Sequence, residues 1–294
     1  MTAFDDSRTR TWLSTAWDGR GSILVLTGAG ISAESGIPTF RGEEGYWRIG
    51  SRNYFPEELA TRAAFIRMPD EIWGWYLYRR SHCRAAAPNA GHLALATLER
   101  ELENRGEGDR FVLVTQNVDG LHLRAGNTLA RTYQIHGNID FMRSLDDDDV
   151  RCYPLPAELG EQWERGKPIG ERERALLVSP NGRPARPHVL WFDETYDEER
   201  FRFESSLAAA ERASLVIVVG TSGATNLPSM IVRRAVERGT ALLVINQDPS
   251  PFSEIATRIP TGHFIQGAAA ALLPPLTDLL LAVSKHAASK QPVH

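Results

Sequence analysis

Four short apolar runs constrain the fold of this chain more than anything else in it. They are SILVLTGAGIS (22–32), FVLVTQN (111–117), SLVIVVGTS (214–222) and TALLVINQ (240–247). Each is continuous rather than alternating, which suits a parallel strand covered on both faces. Helical patterns fall between them, at NAGHLALATLERELEN (89–104) and LPSMIVRRAVERG (227–239). Strand, helix, strand, helix predicts an α/β fold with a Rossmann-like, doubly wound parallel sheet. The first run ends in glycines and passes into a helix-compatible segment, as the opening strand–turn–helix of a nucleotide-binding fold does.

Two stretches break that rhythm. Residues 46–87 carry aromatics and the amphipathic PDEIWGWYLYRR, and read as a helical insertion. Residues 139–187 are polar and rich in Asp, Arg, Pro and Gly. Together they predict a smaller module formed by two insertions over the C-terminal edge of the sheet, where open α/β sheets bind ligands. The main domain is then 1–45, 88–138 and 188–285, with 286–294 a tail. At 294 residues and 42% hydrophobic, the chain can bury a core of this size, so disorder is not the default.

The net charge of −4 gives no basic field for nucleic acid. The opening MTAFDDSRTRTW lacks the charged-then-apolar pattern of an export signal, and no apolar window reaches membrane length. Two cysteines, Cys83 and Cys152, can build neither a disulfide framework nor a four-thiolate zinc site. A soluble, cytoplasmic protein with reduced thiols is the expectation, without nucleic-acid or membrane partners. The DDDD run at 146–149 could attract a hard cation, but lacks the glycine and distal glutamate of a calcium loop. It reads as a solvated charge run, and no metal is expected.

Chemistry concentrates in a few places. Gly28 and Gly30 would let a backbone approach a pyrophosphate closely, with N–H groups of the following helix start offered to it. QNVD (116–119) ends a strand and can present amide and carboxylate groups, though a polar turn with an Asx cap reads the same way. His136 is one of eight histidines; a lone histidine is more often structural than catalytic, yet an imidazole free in water titrates near neutrality and suits general-base work. Tyr76 and Arg79, three apart, share a helix face and could converge on one carboxylate.

Residues 28–47, GAGISAESGIPTFRGEEGYW, closely resemble the signature of the sirtuins (Sir2 family), the NAD-dependent protein deacylases. The resemblance recurs in TQNVDGLH (115–122), HGN (136–138), RPHVLWFDE (186–194), GTS (220–222), INQD (245–248) and QGAAAALLP (266–274), in family order over about residues 20 to 280. It implies NAD as cofactor and acylated protein lysines as partners. Gly28, Ala29, Gly30 and Ala33 would line the dinucleotide turn, with Phe40 and Arg41 on a loop covering the nicotinamide ribose. Gln116, Asn117 and Asp119 would face the ribose and nicotinamide, Asn117 and Asp119 also serving catalysis. Gly220 and Ser222 would approach the phosphates or adenosine ribose, Asn246 would bond that ribose, and Ala269 would contact adenine. Trp47, Val118, Thr221, Gln247 and Asp248 complete the cofactor set, and Val189 and Phe192 join Tyr76 and Arg79 on the acyl-substrate side. His136 would deprotonate a ribose hydroxyl after nicotinamide has left, so that O-acyl-ADP-ribose and free lysine result.

The Tyr-x-x-Arg spacing further resembles the class that removes succinyl, malonyl and glutaryl groups. Three features depart from the family, one being that GTSGATNLPS (220–229) lacks the Tyr-Pro that commonly follows its serine motif. Most sirtuins follow the histidine with four zinc-binding cysteines, where this chain has only Cys152, so no zinc is expected. The lobe would then rely on apolar contacts such as Phe141, Trp163, Leu176 and Leu177. Asp193 stands where a glycine is usual, in the segment that pairs with substrate peptide, and could obstruct it. An NAD hydrolase or ADP-ribosyltransferase, and a non-catalytic NAD-sensing module, remain the alternatives to a deacylase.

Overall fold

Along the chain the strands are β1 (Ser22–Thr27), β2 (Trp47–Ile49), β3 (Arg52–Tyr54), β4 (Phe111–Thr115), β5 (Thr132–Gln134), β6 (Gly137–Ser144), β7 (Cys152–Pro154), β8 (Ala185–Val189), β9 (Ala213–Val219), β10 (Ala241–Asn246) and β11 (Gly262–Gln266). The structure, a computed structural model, describes residues 7–37, 47–49, 52–54, 56–146 and 149–289. Six strands form one parallel sheet in the order β11–β10–β9–β1–β4–β5. The chain builds outward from β1 through β4 to β5, then returns to β9 on the other side of β1. That reversal opens a crevice beyond the carboxyl ends of β1 and β9.

The continuous apolar runs are explained by two-sided burial. Ile23 and Val25 of β1 join a core with Leu95, Leu98, Leu273 and Leu276 from helices Ala90–Asn104 and Ala269–Ser289. Leu24 and Leu26 point the other way, into a core with Ile231, Val232 and Phe252. Burying each such side chain stabilises by roughly 1.5–3 kcal/mol, so neither face of β1 tolerates a polar residue. The expected α/β, doubly wound sheet is therefore present. Two of its strands, β5 and β11, lie at its edges and went unforeseen.

A second, antiparallel sheet has the order β7–β6–β8. It runs from Gly137 to Val189, slightly beyond the 139–187 stretch at both ends. The 46–87 stretch is not wholly helical: β2 and β3 pair antiparallel before helices Pro56–Leu59, Arg62–Arg67 and Pro69–Ala85. A third core, including Trp73, Tyr76, Met142, Trp163, Leu177 and Trp191, joins helix Pro69–Ala85 to this sheet. Of the contacts expected there, Trp163 and Leu177 are buried and Leu176 packs at the border, while Phe141 stays half-buried outside the core.

Charge also holds this region. The Glu194 carboxylate accepts from Arg186 and, at 3.2 Å, from Arg143, both guanidinium groups being almost fully buried. It also accepts from the Trp191 backbone N–H at 2.9 Å. The Arg186 guanidinium lies 3.3 Å from the Trp191 ring centroid. Cys83 is buried and Cys152 exposed. Asp146 pairs with Arg183 at 3.3 Å and Asp149 with Arg151 at 2.8 Å, while Asp147 and Asp148 lie outside the described residues. Hydrogen bonds from Arg151 hold the Asp149 carboxyl down at about 2. Among the described residues no group of His, Cys, Asp and Glu could hold a metal ion, and no helix is long and apolar enough to cross a membrane.

Candidate active site

A cleft of about 750 Å³ opens at the β1/β9 crevice and continues under the second sheet. His136 lines it from the short link between β5 and β6. That link is tightly fixed. Ile135 N–H donates to the Thr115 carbonyl and Ile139 N–H to that of Val118, and the His136 carbonyl accepts from Leu190. The next residue must be glycine. Gly137 has φ +86°, and a Cβ there would sit 2.1 Å from the His188 carbonyl oxygen of β8.

The imidazole is oriented through both nitrogens. Nδ1 is 3.0 Å from the Gln116 carbonyl oxygen, which can only accept, so Nδ1 carries the proton. Nε2 therefore holds the lone pair, and the Tyr196 hydroxyl lies 2.9 Å from it. Burial pushes the ring down to about 4, against the pull of the Gln116 carbonyl. At neutral pH His136 is an uncharged base.

The cofactor-side residues converge as expected, with three refinements. Gly28, Ala29, Gly30, Ala33, Gln116, Asn117, Val118, Gly220, Thr221, Ser222, Asn246, Gln247, Asp248 and Ala269 all line the cleft. First, the glycines of the β1 turn face the β9 turn. A Cβ on Gly30 would meet the Gly220 Cα at 2.6 Å, and the N–H groups of Gly28 and Gly30 are already bonded to the Val219 and Gly220 carbonyls. Their small size lets two loops touch, rather than freeing those two N–H groups for a phosphate. Second, the Gln116 amide ties loops together, donating to Thr221 Oγ1 at 2.8 Å and accepting from Thr225 Oγ1 at 2.9 Å. Third, Asp119 does not line the cleft. It lies behind Asn117, its carboxylate accepting from Ser32 Oγ at 2.7 Å and Leu121 N at 2.9 Å, and burial raises its pKa. Asn117 in turn donates to the Gly28 carbonyl and to Ser32 Oγ, both at 3.0 Å. Phe40 and Arg41 lie outside the described residues, and Trp47 is described only as backbone of β2.

On the other side, Tyr76, Arg79, Val189 and Phe192 line the same cleft as His136, beside Trp75, Ile139 and Trp191. Tyr76 is buried, and its hydroxyl oxygen accepts from Trp191 Nε1 at 2.9 Å. Burial pushes the phenol up to about 12, keeping it protonated, and lowers the pKa of Arg79, whose guanidinium lies 5.1 Å from the Trp75 ring centroid. Asp193 turns away from this wall. Its carboxylate accepts from Arg62 N at 2.8 Å and Ala63 N at 3.2 Å, capping helix Arg62–Arg67, and it is not among the lining residues. Tyr196, at the base, belongs to no recognisable motif, and an aromatic in the polar DETYDEERF carries no signal that would have singled it out.

A long cleft with small residues at its glycine turns, amide groups at the strand ends and a neutral imidazole in its wall suits a dinucleotide. The fold and site thus define a dinucleotide-using α/β protein with a neutral, oriented histidine in its cleft. The Sir2 family model matches residues 28–226. An NAD-dependent protein deacylase of Leptospira interrogans is 38% identical over 260 residues, covering 88% of this chain and 93% of that protein. NAD-dependent protein deacylase 2 of Pyrobaculum aerophilum is 40% identical over 255 residues, covering 87% and 89%. The crystal structure of a Sir2 homolog–NAD complex superimposes with a TM-score of 0.71 at 31% identity, covering 95% of this chain and 94% of the other. This chain belongs to the Sir2 family.

Proposed function

We propose that this Sir2-family enzyme is an NAD-dependent protein-lysine deacylase that removes short acidic acyl groups: succinyl, malonyl or glutaryl. The observation that carries the acidic preference is that Tyr76 and Arg79, one helical turn apart, line the same cleft as His136. A guanidinium in a poorly hydrated wall pairs strongly with a carboxylate, and a protonated phenol beside it can donate a hydrogen bond. Val189 and Phe192 flank the lysine's approach in this reading. The parallel-sheet segments form the dinucleotide domain, and the 46–87 and 139–187 stretches the substrate-side module.

NAD, when bound, supplies a ribose carbon that becomes electrophilic as nicotinamide departs. Gly28 to Ala33 and Gly220 to Ser222 would hold its phosphates, and Asn246, Gln247, Asp248 and Ala269 its adenosine end. Asn117 fixes the turn above Asp119, whose carboxylate anchors Ser32 from behind. His136 accepts a proton at Nε2, and the Gln116 carbonyl holds the resulting imidazolium at Nδ1.

The test is incubation with NAD and matched acetyl- and succinyl-lysine peptides, with products identified by mass spectrometry. Succinyl-ADP-ribose with free lysine peptide is expected. In Arg79→Met, desuccinylation falls by about 10- to 100-fold while deacetylation changes little, because a charge-assisted pair is lost only with the acidic substrate. Equal losses on both substrates overturn the acidic preference. Free ADP-ribose, formed equally without peptide, would identify NAD hydrolysis instead.

A further inference from the structure

Tyr196 lies in the loop between β8 and helix Glu198–Phe201, with its hydroxyl 2.9 Å from His136 Nε2. Because Nδ1 carries the ring's proton, the tyrosine must be the donor in this bond. A neutral imidazole has one acceptor lone pair, and here it is used. A second hydroxyl arriving at the same corner cannot share it.

The phenol is built into place. Its ring stacks on Phe203 at 6.2 Å and 22°, and packs against the core beneath the sheet. Both His136 and Tyr196 line the cleft. An oxygen can accept one proton while releasing another, which the imidazole nitrogen cannot do. The least disruptive route from a substrate hydroxyl to the base therefore runs through the tyrosine.

We propose that Tyr196 is a second proton-transfer group of this site, relaying the proton of a substrate hydroxyl to His136. The inference rests on the deacylase reading, in which a ribose hydroxyl becomes the nucleophile. The ribose O–H bond breaks and its proton forms an O–H bond on Tyr196. The original Tyr196 proton forms an N–H bond on His136 Nε2. The phenol is neutral before and after, His136 ends as the imidazolium, and the ribose oxygen's electron pair would form the bond to the acyl carbon as that carbon's π pair moves onto the lysine nitrogen.

Tyr196→Phe keeps the ring and its stacking and removes only the hydroxyl. Without NAD, ¹⁵N NMR of the variant should show the His136 Nε2 signal moving to that of an unbonded imine nitrogen. With NAD and acyl peptide, acyl-ADP-ribose formation should fall by about 100-fold, with KM for NAD held within about twofold. The wild-type rate in mixtures of light and heavy water should curve downward, as two moving protons require, independently of any variant. A Tyr196→Phe enzyme as fast as wild type, or faster, would mean that the hydroxyl merely caps the base; a linear wild-type plot or an unmoved Nε2 signal also overturns the relay. If the wild type yields only free ADP-ribose, the deacylase reading fails by itself. The relay is then judged by the same comparisons on the hydrolysis rate, where the hydroxyl is that of water.

Discussion

At the scale of single residues, environment rather than identity sets the chemistry. This chain has eight histidines, and their sequence alone does not rank them by basicity. His136 was singled out as the candidate base only because HGN stands in an ordered series of motifs. Its tautomer was not legible, since that depends on a carbonyl twenty residues earlier in the chain. Tyr196 escaped for the same reason: its contact with His136 spans sixty residues. The Gly28 and Gly30 motif was visible, but its close packing on the loop at Gly220 was not, because that loop lies far along the chain. His136→Ala should lower acyl transfer by about 10²–10⁴-fold, the usual worth of a positioned base. The active form is the unprotonated ring, and burial holds its pKa at about 4. Hence kcat/KM should stay level as pH falls through 6.5 and drop only as pH nears 4. A fall centred near 6.5 would show that the base is an ordinary solvated histidine.

At the scale of elements, legibility tracks burial. The four continuous runs became β1, β4, β9 and β10 because buried parallel strands have no room for polar alternation. TYQ in β5 and GHFIQ in β11 are only partly buried and carry polar residues, so no apolar run marks them. The antiparallel β6–β8 sheet was hidden more deeply, because it buries arginines. Arg143 and Arg186 read as surface residues until Glu194, on a following loop, is seen to pair with both. Asp193 is the converse case, a suspected obstruction that serves as a cap. Two side chains, Thr61 and Asp193, accept the first-turn N–H groups of helix Arg62–Arg67. Asp193→Ala should cost about 1 kcal/mol of stability, within the range of lost helix caps. Hydrogen exchange should accelerate at residues 62–67, and Asp193→Asn should restore most of the protection. Unchanged exchange there would show that the carboxylate contributes nothing to the helix.

At the scale of the whole molecule, four histidines are held neutral by burial, His136 in the wall of the cleft and His92, His122 and His188 outside its lining. Burial pushes His92 and His136 down to about 4 and His188 to about 3, and His122 well below its ordinary value. Three belong to segments carrying the parallel sheet and one to β8, so the effect covers both regions. Unfolding releases all four to titrate at their ordinary 6.5, so between pH 6.5 and about 4 the unfolded chain binds more protons than the folded one. Stability is therefore complete above 6.5 and declines as pH falls through that window. Asp119 works in the opposite direction, since burial raises its pKa and the folded state takes up a proton there first. One carboxyl against four imidazoles leaves a net uptake of protons on unfolding within that window. Urea midpoints should hold level from about pH 7.5 to about 6.5 and then fall as pH is lowered towards 5. A flat series would mean that these rings are solvated in the folded protein, and the neutral base in the cleft would lose its physical footing with them.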